Sequence, residues 1–271
     1  MNSSDSSPGL TLGLTLDQRV ARALRPVWFA LIVLAGFEAY TRTVAAGSDS
    51  LAPPSAALLT FGRAALDGSL LQASAFTRLA AALGLAVGGS LGVLLGIALG
   101  LSKRAARLGS LSIEMLRPVP SVALIPLAML VFGFGLRMEF SVVAFATFWP
   151  LLVLTQAAVA RVEPRLLEVS QVLGLSPSQR SVKIVLPACL PRPFVALRLG
   201  VAVALVVAVT VTVEIAANPN GMGYAMMIAQ QSLDPALLLA WLGWIGVLGY
   251  AINAAALALQ RGVGRRMGAQ A

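Results

Sequence analysis

Six long apolar stretches alternate with polar or basic segments along the chain, at residues 27–40, 79–101, 118–136, 140–160, 197–217 and 236–259. A helix needs about 20 mostly apolar residues to cross the hydrocarbon core of a bilayer. The second and sixth stretches carry no charge. The first has Glu38 near one end, and the fifth has Arg198 at one end and Glu214 near the other. Pro118, Pro120 and Pro126 lie in the third, and Pro150 in the fourth. The pattern predicts an all-α membrane protein with six transmembrane helices. The prolines predict kinks in helices that line a central pathway. Asn218, Pro219, Asn220, Gly221 and Gly223 do not suit a regular helix, and they predict a break or re-entrant turn after the fifth span.

Composition agrees with a membrane protein. Apolar residues make up 58% of the 271 residues and charged residues 11%. Mean hydropathy is +0.85. Soluble domains carry about 25% charged residues. Histidine is absent and Cys189 is the single cysteine. Histidine-based triads, zinc sites built on His or several Cys, His-ligated haem and an internal disulfide are therefore excluded. No catalytic residue and no metal site is expected. The net charge of +9 would suggest nucleic acid in a soluble protein. Here the basic residues fall in the connections, and no nucleic-acid partner is expected.

Their placement orients the spans. Arg19, Arg22 and Arg25 precede the first. Lys103, Arg104, Arg107 and Arg117 follow the second. Arg161, Arg165, Arg180, Lys183 and Arg192 follow the fourth, with Arg198 at the next boundary, and Arg261, Arg265 and Arg266 follow the sixth. Only Arg42, Arg63, Arg78 and Arg137 fall on the other side. The positive-inside rule puts both termini in the cytoplasm. Residues 1–25 read as a disordered cytoplasmic N-terminus and not as a cleaved signal, and 26–271 as one transmembrane domain.

Gly84, Gly88, Gly92, Gly96 and Gly100 recur every four residues in the second span. That spacing lines them on one helix face, where a neighbouring backbone can approach closely.

The connection at about 161–196 is long for a compact bundle, which suggests a structured element. Pro164 suits the start of a helix. Leu166, Leu167, Val169, Val172 and Leu173 give an apolar stripe, and Gly174 a stop. Ser176 and Gln179 form a capping box around Pro177, and Pro187 ends the second helix. Two short helices meeting at a turn, apolar with charged flanks, suit either docking into another protein or lying on lipid.

This loop resembles the cytoplasmic EAA motif of permease subunits of bacterial ABC importers, E-A-A-x3-G-x9-I-x-L-P. Glu168, Val169, Ser170, Gly174, Ile184, Leu186 and Pro187 fall at every spacing, with Val169 and Ser170 in place of the two alanines. The likeness extends over roughly 78–266. The run from Leu116 with Arg117, Pro118, Pro120 and Pro126 is similar to the start of the third span in the nitrate/sulfonate/taurine branch. Glu214, Gly221, Gly223 and Tyr224 match that branch's fifth-span segment, and Arg78 also fits.

The resemblance implies a type I ABC importer permease in the bacterial inner membrane. It implies a second copy of the permease, two ATPase subunits that bind ATP and Mg, and an external solute-binding protein. The chain itself would bind no cofactor and catalyse nothing; no phosphate-cradling glycine loop with its lysine is present. Glu168 and the rest of the loop motif would couple to the ATPase. Arg78, Arg117, Pro118, Pro120, Glu214, Gly221 and Gly223 are candidates for the gate and pathway. For Glu214 two readings stand: pairing with Arg78 or Arg137 at an outer gate, or a place at headgroup level. Glu38 reads as interfacial, and Arg117 as an anchor at the cytoplasmic end of the third span. A stand-alone secondary transporter or channel is the alternative. It would call for two similar halves and charges at mid-membrane, and neither is evident.

Overall fold

A computed structural model describes residues 16–48, 50–162, 165, 168, 169, 172–176, 179, 183, 184 and 207–266. The described residues contain helices and no strand. In chain order the helices are α1 (Leu16–Thr43), α2 (Pro54–Leu66), α3 (Ser69–Leu101), α4 (Lys103–Leu116), α5 (Ile125–Phe132), α6 (Leu136–Ala160), α7 (Val207–Ala217), α8 (Met222–Gln231) and α9 (Pro235–Arg266). A short 3-10 turn, Ser121–Leu124, precedes α5.

The glycine stripe of α3 meets α6. A methyl group on Gly84 would sit 2.5 Å from Val143 Cγ1, one on Gly92 2.6 Å from the Phe148 carbonyl, and one on Gly96 2.7 Å from the Leu152 carbonyl. On Gly88 it would run into the Ala144 carbonyl and the Thr147 hydroxyl. The five glycines let the two backbones touch, and among the described residues this is the most extensive helix contact. Contacts advance together from Gly84 with Val143 to Gly100 with Val159, so α3 and α6 run parallel.

Parallel neighbours require the chain to travel back between them. Leu101 packs beside Val159 and Val162 at one end of the bundle. Leu136 starts α6 at the other end, and the 16 residues from Val143 to Val159 alone rise about 24 Å. Residues 103–132 make that return. They do so as α4 and then the 3-10 turn with α5, bent by 83°, and not as the single helix over 118–136 that the apolar run predicts. Ser102 caps α4, accepting from the Ala105 amide at 3.2 Å. Arg117, Pro118 and Pro120 form the exposed bend. Pro120 is extended ahead of the 3-10 turn (φ −63°, ψ 123°). Gly133 and Gly135, both at positive φ, end α5 before 136.

Three helices, α3, α6 and Pro235–Ala258 of α9, are each long and apolar enough among the described residues to cross a membrane, and the bent pair would be a fourth. Large apolar side chains on their outer faces are exposed, as with Leu94, Leu130 and Tyr250. Lipid or another subunit, not water, suits such surfaces.

The stretch between the first two spans, expected as a polar loop, holds α2. Glu38 of α1 holds its start: Glu38 accepts from the Ser55 amide at 3.0 Å and the Ser55 hydroxyl at 2.7 Å. Arg42 donates to the same carboxylate at 2.5 Å. Glu38 is thus tied into the α1–α2 corner and does not sit at the interface alone. Behind this corner Ala64, Leu70, Met222, Ala229 and Trp241 form a buried cluster that joins α2, α3, α8 and α9. A second cluster, with Ile125, Met138, Val142, Val143, Val209 and Val213, joins α5, α6 and α7.

Candidate functional site

The chain breaks between α7 and α8, over 218–221, at the end of the bundle where α3 and α6 begin. Gly221 makes the turn at φ +91°. A side chain there would collide with the Glu214 carboxylate, so glycine is required for space as well as for conformation. The break predicted from Asn218, Pro219, Asn220 and the two glycines is present.

Glu214 fills the break. It is fully buried. Its Oε1 accepts from the Thr77 hydroxyl of α3 at 2.5 Å, and its Oε2 from the Gly223 amide at 2.8 Å. Thr77 in turn accepts from the Met222 amide at 3.0 Å. The first two N–H groups of α8 are therefore satisfied by a carboxylate and a hydroxyl from two other helices. A negative charge at a helix N-terminus is favourable, because the free N–H groups and the helix dipole both point at it.

A second acid stands beside the first. Glu139, in the first turn of α6, is also fully buried. Its carboxyl is within hydrogen-bonding reach of Glu214, and it accepts from the Asn218 amide through Oε2. Glu139 Oε1 and Asn218 Oδ1 have no partner. Glu214 and Asn218 also line a cavity of about 390 Å³ with Phe134, Ile215, Pro219, Tyr224 and Met227. Nearby, Trp244 of α9 donates to Ser74 of α3 at 2.7 Å, which fastens the same end of the bundle.

Glu214 lies inside the protein, and the reading that pairs it with an arginine does not hold. No ion pair joins it to Arg78 or Arg137 among the described residues, where Glu38–Arg42 is the salt bridge. Arg78 is exposed, and its Nε donates to the Ser74 carbonyl at 3.0 Å. Of the gate candidates, Glu214, Gly221 and Gly223 come together in this site, whereas Arg117, Pro118 and Pro120 lie at the α4–α5 bend. Glu139 and Thr77 were missed. The available signal was spacing: Glu139, Val143 and Ala146 repeat at i, i+4 and i+7, which places Glu139 on the buried face of α6.

In the 161–196 loop, Arg165, Glu168, Val169 and Val172 are helical. The Leu173 amide closes the last turn on Val169 at 3.0 Å. Gly174 follows at φ +63°. The capping box is present: the Gln179 amide donates to the Ser176 hydroxyl at 3.3 Å, and the Ser176 amide to Gln179 Oε1 at 3.1 Å. Glu168 is exposed, as are Val169, Val172 and Leu173, and Ile184 is half-buried. Ser170, Leu186 and Pro187 lie outside the described residues, as do Cys189, residues 1–15 and the first half of the fifth span.

Apolar helices with lipid-suited surfaces and a break sealed by buried acids define a multi-pass membrane protein. The family of binding-protein-dependent transport system inner membrane components matches residues 88–269, and the chain belongs to that family. It is 33% identical over 211 residues to the putative aliphatic sulfonates transport permease protein SsuC of Escherichia coli, covering 78% of this chain and 80% of that one. It is 31% identical over 149 residues to the taurine transport system permease protein TauC of the same organism, covering 55% and 54%. Its fold is similar to a chain of the inward-facing MetNI methionine ABC transporter, with a TM-score of 0.56, 20% identity and coverage of 72% and 94%. Family membership makes the chain a non-catalytic inner-membrane component that works with an ATPase and a binding protein, and it sets aside the stand-alone transporter.

Proposed function

We propose that two copies of this chain form the translocation pathway of an ATP-driven importer for small sulfonate-type anions. The similarity to SsuC over most of both chains carries the substrate class, and the similarity to TauC supports it. An external binding protein delivers the solute. Two ATPase subunits bind ATP and Mg, and this chain binds no cofactor of its own.

Six crossings are supported by the placement of helix ends. α1 ends, and α3, α6 and α9 begin, at the end of the bundle that holds the buried acids. The return through α4–α5 and the arrival of α7 at that end supply the other two. The basic residues gather at the opposite end, which makes that end cytoplasmic, with both termini there.

Coupling to the ATPase runs through the 161–196 loop. Its first helix offers Val169, Val172 and Leu173 to a partner's groove, with Glu168 beside them. Gly174 sets the angle between the two short helices. When the ATPase pair closes, the loop transmits the push to the bundle.

Co-purification of the tagged chain with its ATPase, followed by ATPase and sulfonate-uptake assays in lipid, tests this reading. Glu168→Ala and Gly174→Pro should weaken association or uncouple ATP hydrolysis from uptake while the bundle stays folded. A chain that transports without any ATPase, or a complex that imports no sulfonate, overturns the reading in its first or second half.

A further inference from the structure

The buried acids at the α7–α8 break have an incomplete set of donors. Both Glu214 oxygens accept, from the Thr77 hydroxyl and the Gly223 amide. Glu139 Oε2 accepts from Asn218. Glu139 Oε1 and Asn218 Oδ1 are left without a partner, and both residues are almost completely buried. Among the described residues nothing donates to either acceptor. Buried acceptors are ordinarily satisfied, and two carboxylates in contact repel unless something lies between them. One proton on Glu139 Oε1 settles both problems. It turns an orphan acceptor into a donor to Glu214 or to Asn218 Oδ1, and it removes one of two like charges.

We infer that Glu139 and Glu214 form a proton-binding clasp, in which Glu139 is the neutral acid and Glu214 the anion. The asymmetry follows from the neighbours. Glu214 faces the N-terminus of α8 and accepts from its Gly223 amide, so it keeps its charge. Glu139 accepts from one neutral amide alone. Among the described residues no ion pair reaches either acid. α3 contributes Thr77, the break contributes Asn218, and α5 has no titratable residue. Tyr224 of α8 lines the adjoining cavity. Arg78 and Arg137 are near in sequence, and no ion pair joins them to the clasp among the described residues. The cavity beside Glu214 and Asn218 gives the proton a route in and out. While the proton is held, α6 is tied to α7 and α8. Once it is lost, two anions meet and this end of the bundle loosens.

The test uses the full chain with its partner subunits in lipid. Infrared spectra in H2O and D2O report the C=O stretch of a protonated carboxylic acid, and thermal unfolding reports the clasp. The wild type should show the band at neutral pH. The midpoint should fall as pH rises above about 4.3, where the unfolded chain gives up the proton that the folded protein keeps, and the band should persist across that range. Glu139→Gln mimics the neutral acid, so the band should vanish while the midpoint stays near the wild-type value and becomes flat with pH. Glu214→Gln cannot accept at both atoms, and its midpoint should be lower at every pH. Three results would overturn the inference: no protonated-acid band in the wild type, a band that survives Glu139→Gln, or a midpoint that follows sodium concentration instead of pH. The infrared measurement on the wild type stands even if a variant does not fold.

Discussion

The hydroxyl of Thr77 lies 2.5 Å from Glu214 Oε1 and joins helices far apart in the chain. It also accepts the Met222 amide, so one hydroxyl holds α3, α7 and α8 together. A membrane interior offers no water to replace such a group.

Removing that hydroxyl should therefore be costly. Thr77→Val takes one hydrogen bond from the Met222 amide and one from Glu214 Oε1. Each unsatisfied buried group costs about 1–3 kcal/mol. The unfolding midpoint of the purified complex should drop clearly in Thr77→Val and recover in Thr77→Ser, which keeps the hydroxyl.

The glycine stripe gives a second contrast. Gly88→Ala pushes a methyl group into the Ala144 carbonyl and the Thr147 hydroxyl, and overpacking of this kind costs about 1–3 kcal/mol. Gly62 of α2 has no atom within 4 Å of a built methyl. Gly62→Ala should be neutral or stabilising, by up to about 1 kcal/mol, since alanine favours helix. A thermal-shift assay on both variants separates close approach from helix propensity. Equal effects in the two would refute the packing role.

Trp244 links α9 to α3 through its indole N–H and packs on Phe61 with ring centroids 5.6 Å apart. Trp244→Phe keeps an aromatic ring there and deletes the donor. A loss of about 0.5–1.5 kcal/mol is expected, the worth of one net hydrogen bond. Chemical denaturation of the complex would measure it.

Gly174 sits at φ +63° on the exposed loop. A residue with a Cβ pays about 1–2 kcal/mol there, and asparagine less than alanine. Gly174→Ala should reduce ATP-driven uptake while leaving the bundle's unfolding midpoint unchanged, and Gly174→Asn should reduce it less. A midpoint that falls in step with uptake would mean a folding defect instead of a coupling one.

Much of this protein can be read from one dimension, because its signals are local. Apolar runs, the four-residue glycine period, the capping box at Ser176 and Gln179, and the turn at Gly174 each depend on residues a few positions apart. So does the break at 218–221. The loop motif and the run around Glu214 carried the family for the same reason, since their spacing is fixed within the chain.

Other features depend on which helices meet. The run at 118–136 is apolar throughout, yet Gly133, Gly135 and the prolines cut it, and only the parallel α3–α6 pair shows that the chain must cross back there. Glu38 reads as an interfacial charge, and only the structure gives it Ser55 of α2 as a partner. Glu214 calls for an arginine along the sequence, but its partners are Thr77, Gly223 and a second acid. Hydropathy scores Glu139 as a span-end charge, although packing against α3, α7 and the break buries it completely. A multi-span membrane protein of a transport family was legible along the chain, because period, composition and motif spacing are properties of neighbours in it. The tertiary structure alone decided that two carboxyls share one buried site, because the partners that desolvate and hold them come from helices far apart in the sequence.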